Sequence, residues 1–424
     1  MRRDDAWSGG FARGFAGGSR RRSWWRVGLV ALTVLLAAAV VTPFTRADIP
    51  YPDDDPFYAA PAGLADFGNG DVLNSRPIAV LGLPLPVAGW QVQYRSTDST
   101  GAAIADMATV LAPLLPWLGP GGRPLLSYQV EQDSLGTRCA PSYALRGRRD
   151  WSIVNTMLDI PFLAELLRRG WAVVVSDYEG PQSRFFDGVT SGRGVLDGVR
   201  AARSFPPLGI TEQSPIGAWG YSGGAFATLW AMEQRASYAP ELWFAGVTAG
   251  GVPADIAAIA RQVDGETQAG LAVLILVALA RNDPGSGLLD ALNERGRELL
   301  AQEAQACGAE MVVRHLNRRL DDYGKEPNLL WHPAFQAATW KQELGDLAPD
   351  IPLYMYHSTG DDVIPVAGYT ALVDRYCALG ANLTAVHSAI PGHNPAAVVE
   401  SVGALNYLSD RFAGIPAETG CHVR

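Results

Sequence analysis

The pentapeptide Gly220-Tyr221-Ser222-Gly223-Gly224 sets a serine between glycines in the pattern G-x-S-x-G. A serine hydroxyl is a poor nucleophile at neutral pH and needs a base to take its proton. This pattern offers such a hydroxyl on a sharp turn between a strand and a helix. Both flanks have the required character. Residues 215–219, Pro-Ile-Gly-Ala-Trp, read as a short buried strand, and residues 225–232 read as a helix. The glycines let the backbone turn without a Cβ clash, and the helix points its positive N-terminal end at the reacting centre. With 46 glycines in 424 residues the bare pattern has little weight against an ordinary glycine-rich turn. The strand–turn–helix context is what favours a nucleophile.

A serine on such a turn is followed in the chain by an acid and then by a histidine. That order restricts the candidates among only six histidines. Asp361 is the expected acid. It follows the strand-like residues 352–357 in the run Ser358-Thr359-Gly360-Asp361-Asp362-Val363-Ile364-Pro365. Asp362 must then point elsewhere; the plainer reading of the pair is a solvated turn. Three histidines lie beyond, His387, His393 and His422. His387 falls inside a strand pattern, and His422 stands at the end of the sequence. His393, in Ile390-Pro391-Gly392-His393-Asn394-Pro395, occupies a turn between the last expected strand and a helix, and is the expected base. An oxyanion hole needs backbone N–H donors. Gly223 should supply one, and the loop from Glu131 to Ser134 the other. Asp133 is a difficult donor, because its carboxylate would repel an oxyanion unless protonated or turned away.

The rest of the chain must position these groups. Residues 48–85, rich in Pro, Asp and Gly, read as an extended arm. Strands are expected at 90–95, 105–111, 123–130, 171–176, 215–219 and 243–249, with helices at 160–169 and 193–205. Strands alternating with helices imply a mostly parallel sheet, an α/β fold. Residues 251–344 break the rhythm and read as a helical cap inserted into a core made of 48–250 and 345–424. Residues 269–280 are apolar apart from Gly270 and too short to span a bilayer. They read either as a plain buried helix or as a cap helix lining an acyl tunnel. Strands resume at 352–357 and 383–386.

The N-terminus is of another kind. Arg20, Arg21, Arg22 and Arg26 precede an apolar stretch over residues 27–41, the layout of an export signal. An uncleaved anchor is the alternative; once residues 1–47 are removed, no stable membrane span is expected. Eight arginines against two aspartates give residues 1–47 a charge of +6, which leaves −15 on the remainder of a chain at −9. A domain this acidic repels nucleic acid, which is excluded as a partner. Cys139, Cys307, Cys377 and Cys421 form no C-x-x-C pair, so a zinc or redox motif is not expected. An even number behind an export signal implies two disulfides, with three pairings open.

Taken together these residues resemble the secretory lipase family, the lipase A type of fungi and actinobacteria. The resemblance rests on Asp55-Pro56-Phe57-Tyr58, Ser127-Tyr128-Gln129-Val130, Asp133, Cys139-Ala140-Pro141-Ser142-Tyr143, Ser176-Asp177-Tyr178-Glu179-Gly180, Leu196-Asp197-Gly198-Val199-Arg200-Ala201, the pentapeptide at Ser222, and Tyr238-Ala239-Pro240-Glu241-Leu242. It implies an α/β-hydrolase with a helical cap that cleaves triacylglycerols and other fatty-acyl esters without metal or cofactor. It implies Ser222 as nucleophile, Asp361 as acid, His393 as base, and Asp133 with Gly223 as oxyanion hole. It pairs Cys139 with Cys307 and Cys377 with Cys421. Fungal members carry a tail past the last cysteine that serves as a flap; this sequence stops at Arg424, so control by such a flap is not expected. A carboxylesterase for short soluble esters, an acyltransferase, and a non-catalytic lipid-binding relative are the alternatives.

Overall fold

The computed structural model describes residues 49–80, 83, 85–147 and 153–424. The expected export segment, residues 1–47, lies outside the described residues.

Short runs of β-branched and aromatic residues bounded by turns build ten strands into one sheet. They are β1 (Val72–Ile78), β2 (Val87–Thr97), β3 (Ala103–Pro113), β4 (Leu125–Gln129), β5 (Ala172–Ser176), β6 (Ile216–Tyr221), β7 (Phe244–Gly250), β8 (Leu353–Ser358), β9 (Leu383–Ser388) and β10 (Cys421–Val423). The spatial order is β1-β2-β3-β5-β4-β6-β7-β8-β9-β10. From β5 onward every neighbouring pair is parallel, while β1, β2 and β3 form an antiparallel end. The longer helices are α1 (Ile160–Arg168), α2 (Gly188–Ser204), α3 (Gly223–Tyr238), α4 (Ile256–Val263), α5 (Ala269–Asn282), α6 (Glu294–Gln302), α7 (Gly308–Arg314), α8 (Pro333–Trp340), α9 (Val366–Ala378) and α10 (His393–Phe412). This is the mostly parallel, helix-flanked sheet expected of an α/β chain.

The central strands are buried on both faces, so most residues of both side-chain sets are apolar, with Ser127, Gln129 and Ser176 the buried polar exceptions. Val110, Leu125, Val174 and Ala218 face one way and pack with α2 and α3. Leu111, Leu126, Val173, Val175 and Trp219 face the other way, toward Leu163, Leu166 and Leu167 of α1 and Leu405 and Leu408 of α10. The period of two along a strand makes these two separate cores.

Three elements differ from the sequence expectation. The arm contains strand β1, which pairs with β2. Its polar, half-exposed residues hide the alternation a strand normally shows. Helix α2 starts at Gly188 rather than at 193. Glycines at 188, 192 and 194 argue against helix by propensity, but here they allow contact. A Cβ at Gly188 or Gly192 would run into Trp230 of α3. Asp187 caps the helix by accepting from the Thr190 N–H at 3.2 Å. Finally, β10 follows what was expected to be the last strand.

Residues 251–344, between β7 and β8, hold α4 to α8 and shorter turns. Helix α5 is buried on nearly every side. Disulfides join Cys139 to Cys307 and Cys377 to Cys421, the pairing that the resemblance implies.

Candidate active site

Strand β6 ends at Tyr221 and helix α3 begins at Gly223, so Ser222 alone makes the turn. Its φ of 52° and ψ of −124° lie outside the regions open to an ordinary L-residue. Holding such a conformation costs about 1–3 kcal/mol. The Ser222 N–H donates to the Gly250 carbonyl at 2.9 Å, and its carbonyl accepts from the Phe226 N–H at 3.1 Å. Backbone crowding explains the glycines. A Cβ at Gly220 would collide with the Gly224 carbonyl, and one at Gly224 with the Gln129 carbonyl.

His393 is the first residue of α10, directly after Gly392, whose φ is 87°. It therefore sits in the helix rather than in the turn before it. Its Nε2 lies 2.9 Å from Ser222 Oγ and its Nδ1 lies 2.7 Å from Asp361 Oδ2. The backbone on either side of the ring is also held. The His393 N–H donates to Asp362 Oδ1 at 3.0 Å, and its carbonyl accepts from Tyr221 OH at 2.7 Å. Asp362 thus points away from the imidazole and fixes the main chain instead. The side chain of Asp361 is fully buried, and its other oxygen accepts from the N–H groups of Val363 and Ile364 at 2.9 and 2.8 Å.

Burial alone would lower the His393 imidazole, but the charge of Asp361 and its hydrogen bond outweigh burial and hold the ring above its ordinary value. Burial likewise pushes Asp361 up, and the opposing charge and hydrogen bond of His393 bring it net below the usual carboxylate range. The arrangement can take a proton from Ser222 Oγ onto Nε2 and stabilise the imidazolium that results.

Asp133 adopts φ 39° on the loop after β4. A Cβ at Gly223 would run into its carboxylate, so loop and elbow are in close approach. Asp133 Oδ1 is buried without a hydrogen-bond partner among the described residues. Burial pushes this carboxyl up to about 6. Burial does the same to Glu131 and Asp159 nearby, and Asp159 accepts from Tyr128 OH at 2.7 Å. The loop is tied to residues 305–310. Ser134 bridges to Cys307, Leu135 N–H donates to the Ala306 carbonyl at 2.9 Å, and the Cys139–Cys307 disulfide closes the join.

Sequence reasoning did not single out three neighbours. His357, at the end of β8, places Nε2 3.0 Å from the Ile364 carbonyl and 3.5 Å from Asp361 Oδ2. Burial lowers it to about 4, so it is neutral and donates from Nε2. Its position four residues before Asp361 was the only signal. Phe185 and Phe186 close over Ser222 from the loop after β5, with Phe186 at φ 53°. With Ile259, Leu271, Ile275 and Val363 they leave a cavity of only about 30 Å³ at the hydroxyl. Leu271 and Ile275 are one turn apart on α5, so this buried helix also presents one stripe to the site. Among the described residues no group of three or more His, Cys, Asp or Glu side chains is arranged to hold a metal ion.

Comparison with known proteins adds a lineage to this geometry. The chain matches the family described as secretory lipase over residues 145–420. It is 37% identical over 373 residues to a protein of Mycobacterium tuberculosis named a probable inactive lipase, covering 86% of this chain and 83% of that one. It is 33% identical over 420 residues to lipase A of Moesziomyces aphidis, covering 93% and 90%. The structure of Candida antarctica lipase A in its closed state superposes with a TM-score of 0.81 at 30% identity, over 88% of this chain and 89% of the other. The rice cell wall degrading esterase LipA of Xanthomonas oryzae, at 15% identity and a TM-score of 0.61, shares the fold alone. With an α/β-hydrolase sheet, a serine on its elbow and a family match spanning most of the described residues, the chain belongs to the secretory lipase family.

Proposed function

We propose that this protein is an exported serine hydrolase that cleaves fatty-acyl esters, triacylglycerols foremost, through an acyl-enzyme on Ser222. The observation behind the reading is the unbroken chain of hydrogen bonds from Ser222 Oγ through His393 to Asp361. His393 Nε2 takes the hydroxyl proton as Oγ attacks the ester carbonyl. Backbone N–H groups of Gly223 and Asp133 receive the oxyanion. The imidazolium then protonates the departing alcohol, and water repeats the steps on the acyl-enzyme. A relative of this chain is named a probable inactive lipase. The complete serine, histidine and aspartate set is the reason to assign activity here.

Residues 251–344 serve as the cap in this reading, and residues 1–47 as the export segment. Two disulfides suit a protein that works outside the reducing cytosol. A second reading, a carboxylesterase for short soluble esters, is favoured by the size of the cavity, about 30 Å³. Sites that enclose whole ligands run to about 300–1,000 Å³.

A rate series over acyl lengths from acetyl to palmitoyl, with an emulsified triacylglycerol added, separates the two. The lipase reading expects turnover of long chains that rises once an interface forms. Turnover confined to acetyl and butyryl esters would favour the carboxylesterase. Ser222→Ala and His393→Ala should each lower kcat about 10⁵- to 10⁶-fold, and Asp361→Asn about 10⁴-fold. Undiminished hydrolysis in any of the three would refute the assignment.

A further inference from the structure

Three leucines project from one turn. Leu114 is 66% exposed, Leu115 69% and Leu118 91%. They belong to residues 113–124, Pro-Leu-Leu-Pro-Trp-Leu-Gly-Pro-Gly-Gly-Arg-Pro, which join β3 to β4. A single exposed leucine needs no explanation, but several gathered on one protrusion do. The turn is braced. Its four prolines limit the backbone. The Leu114 N–H donates to the Pro86 carbonyl at 2.9 Å, and Arg123 donates to the Leu115 and Gly170 carbonyls at 2.7 Å each. Trp117 packs inward against the core and leaves the leucines outside.

Charge distinguishes this end of the molecule. Residues 107–122 contain no charged side chain, in a chain whose net charge is −9. Arg123 stands at the base of the turn and holds the Gly170 carbonyl, which follows Arg168 and Arg169 in the chain; Glu165 pairs with those two, and Glu212 lies on the segment against which Gly121 and Gly122 pack, so the three arginines outnumber the two acids by one. The turn precedes the N-terminal end of β4. Ser222, Asp361 and His393 follow the C-terminal ends of β6, β8 and β9, all parallel to β4. The leucines and the site are therefore at opposite ends of the sheet.

We propose that this turn is a docking spike for an anionic lipid surface, with Leu114, Leu115 and Leu118 inserted among acyl chains and the arginines at headgroup level. A stable protein partner buries about 800 Å² on each side, more than a turn of this size offers. Leucines rimmed by cations suit the boundary between headgroups and acyl chains. The attachment leaves the site facing away from the surface that holds the protein. This inference is independent of the hydrolase reading.

All four cysteines are paired, so Leu118→Cys creates a single free thiol for a polarity-sensitive fluorophore. A label at Glu326→Cys, an exposed site in residues 251–344, is the control. Vesicles of phosphatidylglycerol and phosphatidylcholine in equal parts should blue-shift the Leu118→Cys label and expose it to quenching by nitroxide-bearing lipid, leaving the control label in water. Binding should be about tenfold or more tighter than to phosphatidylcholine alone. A thermal melt by circular dichroism unchanged from the parent shows that the labelled protein is folded. The label reports contact at the turn whatever other segment meets the vesicle. The proposal is overturned if the Leu118→Cys label stays in water on vesicle-bound protein, if the protein does not bind, or if neutral vesicles bind as well. A blue shift that grows with protein concentration without lipid would also overturn it, assigning the leucines to a second copy of the chain.

Discussion

His393 is held by its ring, its N–H and its carbonyl, through Asp361, Asp362 and Tyr221. That fixes the imidazole before substrate arrives, and its raised pKa sets the acid limb of activity. Only the neutral ring can accept the serine proton, so kcat/KM should rise through a midpoint above 6.5. Burial raises the Asp133 carboxyl, which lies against Gly223, to about 6. It therefore ionises below the His393 midpoint and stands charged beside the proposed oxyanion site wherever the imidazole is neutral. Asp133→Asn keeps the shape and cannot ionise. It should raise the plateau of kcat/KM above about pH 7, and an unchanged plateau would remove the Asp133 charge from the mechanism. Ser222, Asp361 and His393 could be picked out in the sequence because chain order and flanking strands limit the choice. His357, Phe185 and Phe186 could not, since their relation to the site arises from contacts between loops, which have no periodicity.

The elbow works because two backbones come closer than any side chain allows. Gly224→Ala would drive a methyl group into the Gln129 carbonyl at the end of β4. A destabilisation of about 3 kcal/mol is expected, read as a lower midpoint in urea unfolding. A midpoint equal to that of the parent would mean that strand and helix can part at no cost. Helix α5 is buried nearly all round, as the plainer of its two sequence readings expects, and Leu271 and Ile275 reach the cavity at Ser222. The parallel strands were legible in the sequence as short apolar runs between turns. Strand β1 was not, because its edge position leaves it polar. The start of α2 was missed because glycine propensity counted against it, whereas tertiary contact with Trp230 is what those glycines serve.

At the scale of the whole molecule the buried acids shape the response to pH. Burial raises Asp177 and Glu233 each to about 7, and lifts Asp106 and Glu179 well above the carboxylate range. The folded state therefore binds more protons than the unfolded chain from about pH 4 up to pH 7. Their stability contribution is full below the unfolded values and is lost as pH rises through the folded ones. Asp361 and Asp55, both lowered, act in the opposite sense and only on the acid side. Tm should accordingly be lower at pH 8 than at pH 5, and Glu233→Gln should narrow the difference. Equal melting temperatures by calorimetry at the two pH values would contradict this. The join between Asp133's loop and residues 305–310 has a mechanical outcome. Because Cys307 is bonded to Cys139 beside the reacting centre, that corner behaves as a hinge pin and cannot lift. Any widening of the space over Ser222 must come from the rest of its lining, Phe185 and Phe186 on one loop and Leu271 and Ile275 on α5.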